Sequence, residues 1–324
     1  MSVRISKNRP VVKYGFKDYF IISHTFGLPQ YHLRVGDSGV TAKEAHNNIK
    51  QTLAAAFDLR NPNSILRQVS ERFNITPEDV ESVQLDFINF GCLQLVYLAA
   101  LSVPTETVHL VLLINQPEIP LGRVEAEFAN LQRLAEIDPQ HIVEPYAHFS
   151  FGAHELYAAP YLKFAQCINT KQDDWGDDYR WGVFEPDRAL GAYLFRAFSD
   201  DIIPTVTSSM IALLVRYYDE EKGRGLAQTH LSGDDFMFTQ DFCRKDPTSV
   251  LPNMKLAAAR GWVEASLEEY LAIIRREFVI GTRTYHTPVV QGDIIVNHKS
   301  ILPLSLEEID AGIELGLRLR TQGA

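Results

Sequence analysis

The stretch GLAQTHLSGDDFMF, residues 225–238, sets Gln228, Thr229, His230, Ser232, Asp234 and Asp235 between an apolar entry and an apolar exit. A chain that alternates in this way either turns at the surface or rims a site. Gly233-Asp234 is ordinary turn chemistry. Asp234 and Asp235 are also hard oxygen ligands suited to a divalent cation, and His230 is a general base with a pKa suited to neutral pH. The competing readings are a histidine bonded within a structural turn and a pair of solvated aspartates. His230 with the two acids forms a carboxylate and imidazole set that lacks a fourth ligand.

The whole chain narrows the choice. With 324 residues, 46% of them hydrophobic, it can bury a sizeable core as two structural units or one large two-lobed one. The net charge of -10, from 41 acidic against 31 basic side chains, argues against a nucleic-acid partner, which needs a basic surface. Cys92, Cys167 and Cys243 lie far apart, so neither a disulfide framework nor a metal knuckle is indicated. The N-terminus lacks a continuous apolar run, and the longest apolar stretch, residues 93–103, is too short to span a bilayer. A soluble, cytoplasmic protein without a membrane partner is expected. GxSxG, HExxH, Walker and GxGxxG patterns do not occur in the sequence.

Residues 1–40 read as short strands or irregular structure. Residues 41–59 open with Thr41 and Glu44 in capping-box spacing and continue through good helix formers. Helices are also expected at residues 64–73 and from Thr76, where Pro77 takes the first turn and acids follow. Residues 93–103 and 108–115 read as an antiparallel hairpin. Residues 124–137 form a helix with Val124, Phe128, Leu131, Leu134 and Ile137 on one face. Residues 141–146 and 155–162 resume strand composition. Residues 163–190 read as a long loop or a short-helix excursion, and helices are expected at 189–198, 203–218, 266–279 and 305–319. Ser266 with Glu269, and Ser305 with Glu308, have capping-box spacing.

A small sheet carrying one helix, followed by a helical half, resembles the two-lobed protein-kinase-like fold, and its aminoglycoside phosphotransferase and choline kinase branch in particular. The resemblance covers about residues 85–320. It implies an α+β chain with an N-terminal extension at 1–80, a small lobe at 81–160 and a helical lobe at 161–324. GLAQTHLSGDDFMF aligns without a gap to the catalytic loop of that branch. The hydrophobic frame matches at Gly225, Leu226, Leu231, Phe236, Met237 and Phe238. His230 stands at the place of the catalytic aspartate, Gln228 at that of the first histidine, and Asp235 at that of the metal-binding asparagine.

The other stations of the family show the same erosion. Gly91 alone represents its phosphate loop, Asn115 stands at the place of the phosphate-binding lysine, and Glu127 matches the glutamate that pairs with that lysine. MKLAAARG, residues 254–261, resembles the strand entering the Asp-Phe-Gly element, with Ala258 at the place of the metal aspartate. Lys163, Lys255 and Arg260 are candidates to replace the lost lysine.

Phosphoryl transfer in this fold is positioning and charge neutralisation, so the losses imply a catalytically inert, pseudokinase-like binding or regulatory module that needs no cofactor. The alternative is an atypical transferase using ATP and Mg²⁺, with Asp235 and Asp234 as metal ligands and His230 as base. A protein or small-molecule partner is expected at the interlobe cleft or at the acidic aromatic run, where Asp173, Asp174, Asp177 and Asp178 surround Trp175, Tyr179 and Trp181. Glu127 has a plainer reading as a solvent-facing residue or a surface ion-pair partner.

Overall fold

The structure, a computed structural model, describes residues 2–5, 49, 51–90, 94–115, 119–162, 166–172, 179–187, 192–226, 235–239, 245–280, 282–289, 292–299 and 306–322. The chain divides into two compact units. The first comprises Met1–Ala129, Glu144–Tyr161 and Pro288–Gly292, and the second Asn130–Val143, Leu162–Thr287 and Asp293–Ala324.

In the first unit, β1 (Ser2–Ile5) lies parallel to β2 (Ser82–Phe90). The helix α1 (Ile65–Phe73) falls between them in sequence. Then follow β3 (Gln94–Ser102), β4 (Thr107–Asn115), the helix α2 (Arg123–Ile137), of which only residues 123–129 belong to this unit, β5 (Ala147–Phe151) and β6 (His154–Pro160). The sheet order is β1-β2-β3-β4-β6-β5, and the last five strands pair antiparallel. The expected hairpin is present as β3 and β4, and alternate residues of its two apolar strands are the buried ones: Leu95 faces Ile114, Tyr97 faces Leu112, Ala99 faces Leu110 and Leu101 faces Val108.

That face is covered by residues that lie between β1 and β2 in sequence. Ile49, Leu53, Ala56, Phe57, Ile65, Leu66 and Val69 are fully buried in one core cluster with the alternating strand residues. Burying a side chain of that size contributes roughly 1.5–3 kcal/mol, so residues 49–73 are integral to this sheet. α1 starts where expected, with the Ser64 hydroxyl accepting from the Arg67 amide, and stops at Asn74 in the left-handed conformation. The helix expected from Thr76 is a correction. A single 3-10 turn, Pro77–Asp79, is followed directly by β2, because Val80 turns into the core and the chain must extend to pair with β3.

The second unit departs further from the sequence-based expectation. β7 (Gln166–Gln172), β8 (Tyr179–Asp187) and β9 (Ala192–Ala197) are antiparallel strands where a loop and a helix were expected. The helical formers of AYLFRA are overridden by cross-strand pairing, with Phe195 opposite Phe184 and Leu194 opposite Glu185. The helix α3 (Ile203–Arg216) then leads to β10 (Arg224–Leu226), β11 (Phe236–Phe238), the short helix α4 (Val250–Asn253), β12 (Met254–Leu256) and β13 (Trp262–Glu264). β11 pairs with both β12 and β7, giving the sheet order β12-β11-β7-β8-β9, while β10 pairs with β13.

The helix α5 (Leu267–Ile280), the strand pair β14 (Thr282–Val289) and β15 (Gly292–Lys299), and the helix α6 (Leu306–Gln322) complete the chain. The Ser266 and Glu269 capping box is formed, with the Ser266 amide and hydroxyl donating to the Glu269 carboxylate. α6 approaches α3 closely because Gly316 presents no side chain; a Cβ there would lie 2.7 Å from the Ala212 carbonyl oxygen. Ile137 corrects the expected face of α2. It is 64% exposed, because the next residue, Asp138, turns inward to accept from the Tyr217 hydroxyl and to pair with Arg216.

Candidate functional site

Asp235 immediately precedes β11 and is completely buried. A carboxylate cannot be held in such a place without a counter-charge. Arg260 supplies it, with Nη2 2.6 Å from Oδ1 of Asp235. The backbone assists: the Asp235 carbonyl accepts from the Ala257 amide at 2.7 Å, beside the Phe236 and Leu256 pairing. This bond brings Asp235 and the Ala257–Ala258 backbone side by side, so the two positions the alignment assigns to metal ligation are neighbours. One carries a carboxylate already paired with a guanidinium, and the other is alanine. Among the described residues no group of three His, Cys, Asp or Glu side chains could hold a metal ion. His230 and Asp234 lie outside the described residues.

Around Arg260 the chain is fastened at several points. The Asn130 amide donates to the Ala259 carbonyl at 2.9 Å, and its oxygen accepts from the Trp262 indole nitrogen at 2.7 Å. The Arg224 guanidinium lies 4.5 Å from the centre of the Trp262 ring, and that of Arg133 lies 5.7 Å from it. Asp219 joins the two arginines, at 2.6 Å from Arg133 and 3.5 Å from Arg224. Burial alone would raise the Asp219 pKa, but the bonds from Arg133 and the Lys222 amide, with the charge of Arg224, hold it below the usual carboxylate value. Lys255 is otherwise engaged, its ammonium group lying 3.0, 2.6 and 3.3 Å from the carbonyls of Pro139, Gln140 and Ile142. Lys163 lies outside the described residues.

In the first unit, Asn115 and Glu127 belong to a polar cluster at one end of the sheet. Asn115 is fully buried; its oxygen accepts from the Glu155 amide at 2.7 Å, and its nitrogen donates to the carbonyls of Ile119 and Ala153. The Glu155 carboxylate accepts from the amides of Gly122 and Val124 at the N-terminus of α2, where backbone donors and the helix dipole favour an anion. Gln94, directly opposite Asn115 in the sheet, donates to Glu127 at 2.8 Å. Glu127 is therefore not the solvent-facing residue its plainer reading implied; it is 3% exposed. Sequence reasoning missed Gln94, Glu155, Asn130 and Trp262, since no spacing rule links them to their partners.

No protein-family model matches the chain. No curated protein matches it either. Among solved structures it is similar to one described as the crystal structure of BubR1 kinase domain, at 13% identity over 56% of this chain, with a TM-score of 0.35. The chain spans 47% of the length of that structure. A likeness of this size carries no argument about function.

The remaining described groups do not add to either cluster. Of the acidic aromatic run, Asp173, Asp174, Trp175, Asp177 and Asp178 lie outside the described residues, while Tyr179 and Trp181 belong to the backbone of β8. No helix among the described residues is long and apolar enough to cross a membrane.

β5 and β6 carry a titratable pair of another kind. His148 has a buried Nε2 and His154 a buried Nδ1 without a hydrogen-bond partner. Burial lowers the pKa of both below 6.5, opposed at His148 by Glu125 and Glu155 and at His154 by a bond involving the Asn115 backbone. As pH falls below about 6.5, the unfolded chain takes up protons that the folded chain resists, so this stability is complete above that pH and lost through the lower folded values. The urea midpoint should accordingly fall between about pH 7 and 5.5, with a shallower fall in His154→Gln. A midpoint slope unaffected by that substitution would show that this histidine does not carry the effect.

Proposed function

We propose that this chain is a kinase-like binding or regulatory module that has lost phosphoryl transfer. The observation that carries the reading is the Asp235 and Arg260 pair: a guanidinium holds the carboxylate that the alignment places at a metal position. Three further features support it. The antiparallel strands run in the order β2-β3-β4-β6-β5, with a helix after the third strand, as expected for a strand and helix that carry the lysine and glutamate positions. The catalytic-loop alignment spans β10 to β11, and β12, read as the strand entering the metal aspartate, pairs with β11. By the alignment, Asn115 and Ala258 occupy the positions that would carry a positive charge and a metal ligand. Transfer of a phosphoryl group requires that charge be neutralised, and these side chains do not supply the means. The sequence chemistry of residues 173–181, acids interleaved with aromatics, suits a cationic partner.

Thermal denaturation with ATP or GTP, each with and without Mg²⁺, tests this reading. A ligand bound to the native state at about a hundred times its Kd stabilises by about 2.7 kcal/mol, a readily measured shift. The expected result is no magnesium-dependent rise in Tm at millimolar nucleotide. A magnesium-dependent rise that disappears in Asp235→Asn would overturn it and identify a nucleotide-dependent transferase instead.

A further inference from the structure

We infer that Asn130 and Trp262 form a clamp that holds residues 257–262 in the one arrangement that keeps Arg260 on Asp235, so Asn130 is a positioning residue for a charge it does not touch. The inference rests on geometry alone and stands whether or not the chain is kinase-like.

Residues 257–262 leave β12 and enter β13, and in between they contain Ala257, Ala258, Ala259, Arg260 and Gly261. Such a run has little side-chain bulk with which to define its own path. Glycine also widens the conformations open to the chain immediately after Arg260. Yet Arg260 must meet a completely buried carboxylate at 2.6 Å. The path must therefore be set from outside the run, and the structure shows by what. The Asp235 carbonyl holds the Ala257 amide at the near end. At the far end a single side chain, Asn130, uses both of its polar atoms: it donates to the Ala259 carbonyl just before Arg260 and accepts from the Trp262 indole just after it. Arg260 is thus bracketed by two bonds to one amide group. Trp262 is in turn kept in place by the Arg224 guanidinium over its ring and by the pairing of β13 with β10.

Asparagine suits the position because it offers a donor and an acceptor on a short stem. Aspartate would keep the bond from Trp262 but could not donate to Ala259. Phenylalanine at 262 would keep a ring against Arg224 but lose the donor. These two substitutions therefore separate the halves of the clamp.

Hydrogen exchange of the intact chain, read by mass spectrometry on segments 254–264 and 94–115, provides the test. In Asn130→Ala, exchange in segment 254–264 should accelerate at least tenfold, with segment 94–115 unchanged. The Arg260 guanidinium resonances should broaden or disappear relative to those of the wild-type chain. Trp262→Phe should give a smaller effect in the same segment, and it serves as the test if the alanine variant fails to fold. Unchanged exchange in segment 254–264 in Trp262→Phe and in any folded Asn130 variant would overturn the clamp. So would equal acceleration in both segments, because general destabilisation would then explain it without any positioning role.

Discussion

Gly225→Ala is expected to be among the most damaging small substitutions in the chain, lowering stability by about 3 kcal/mol, the upper end of the usual cost of overpacking a core. A Cβ at this position would fall 2.1 Å from Cε2 of Tyr270 and 2.3 Å from both Cδ2 and Cζ. The ring cannot retreat cheaply. Tyr270 is 1% exposed, its hydroxyl donates to the Leu226 carbonyl at 3.1 Å, and its ring lies 5.5 Å from that of Tyr218. Its phenol pKa is pushed upward by burial, as expected of a hydroxyl committed to a site without water. Moving the ring aside would give up the bond to Leu226; leaving it in place would force β10 away from α5. Urea denaturation of Gly225→Ala, Tyr270→Leu and the double variant measures the coupling. The smaller leucine should restore room, so the double variant should lose less than the sum of the single losses. An unchanged midpoint for Gly225→Ala would mean that the ring is not held there. The glycine that frames the polar stretch is thus explained by packing against α5, with no ligand needed.

Much of the first unit was legible because local pattern and final structure agree there. Residues 93–103 and 108–115 are apolar runs of strand formers separated by a polar turn, and the sheet buries alternate residues of β3 and β4 in one core with Ile49, Leu53, Phe57 and Leu66. The starts of α1 and α5 were written in single capping residues, Ser64 and Ser266, each of which makes the bond its position implied. β7, β8 and β9 were not legible for a related reason. Their residues have mixed propensity, and what makes them strands is pairing with one another and with β11, far along the chain. Propensity decides little where a remote edge supplies the hydrogen bonds. Ile137 shows the same limit at the scale of one residue, since the inward turn of Asp138 depends on Tyr217 and Arg216 in another helix.

The candidate site divides in the same way. Asp235 was identified by the frame of hydrophobic residues around it, a local signal. Its partner was not, because the sequence marks Arg260 only as a candidate to replace the lost lysine. Charge pairing between residues on either side of a strand pair leaves no periodic trace. Glu127 and Gln94, one on a helix and the other on a strand 33 residues away, are likewise joined only by tertiary packing. The sequence marks Asp235 and Glu127 as candidates, and tertiary packing determines what their carboxylates pair with.

The Asp235 and Arg260 pair should be strongly asymmetric when dismantled. Arg260→Met removes the counter-charge from a carboxylate with no exposure to solvent and is expected to cost about 3–5 kcal/mol, the usual loss when one partner of a buried pair is deleted. Asp235→Asn leaves Arg260, which retains 15% exposure and a path to water, so its cost should be smaller. With both charges gone, the Asp235→Asn and Arg260→Met double variant should recover most of what the arginine variant loses, because an apolar side chain beside a neutral amide avoids the stranded charge. Screening acts weakly on a pair so far from solvent, so the order of stabilities should persist in high salt. Denaturant midpoints of the four proteins, at low and high ionic strength, decide the matter. If the double variant is no more stable than Arg260→Met, the arginine serves packing and not neutralisation. The proposed conversion of a metal position into an internal ion pair then fails.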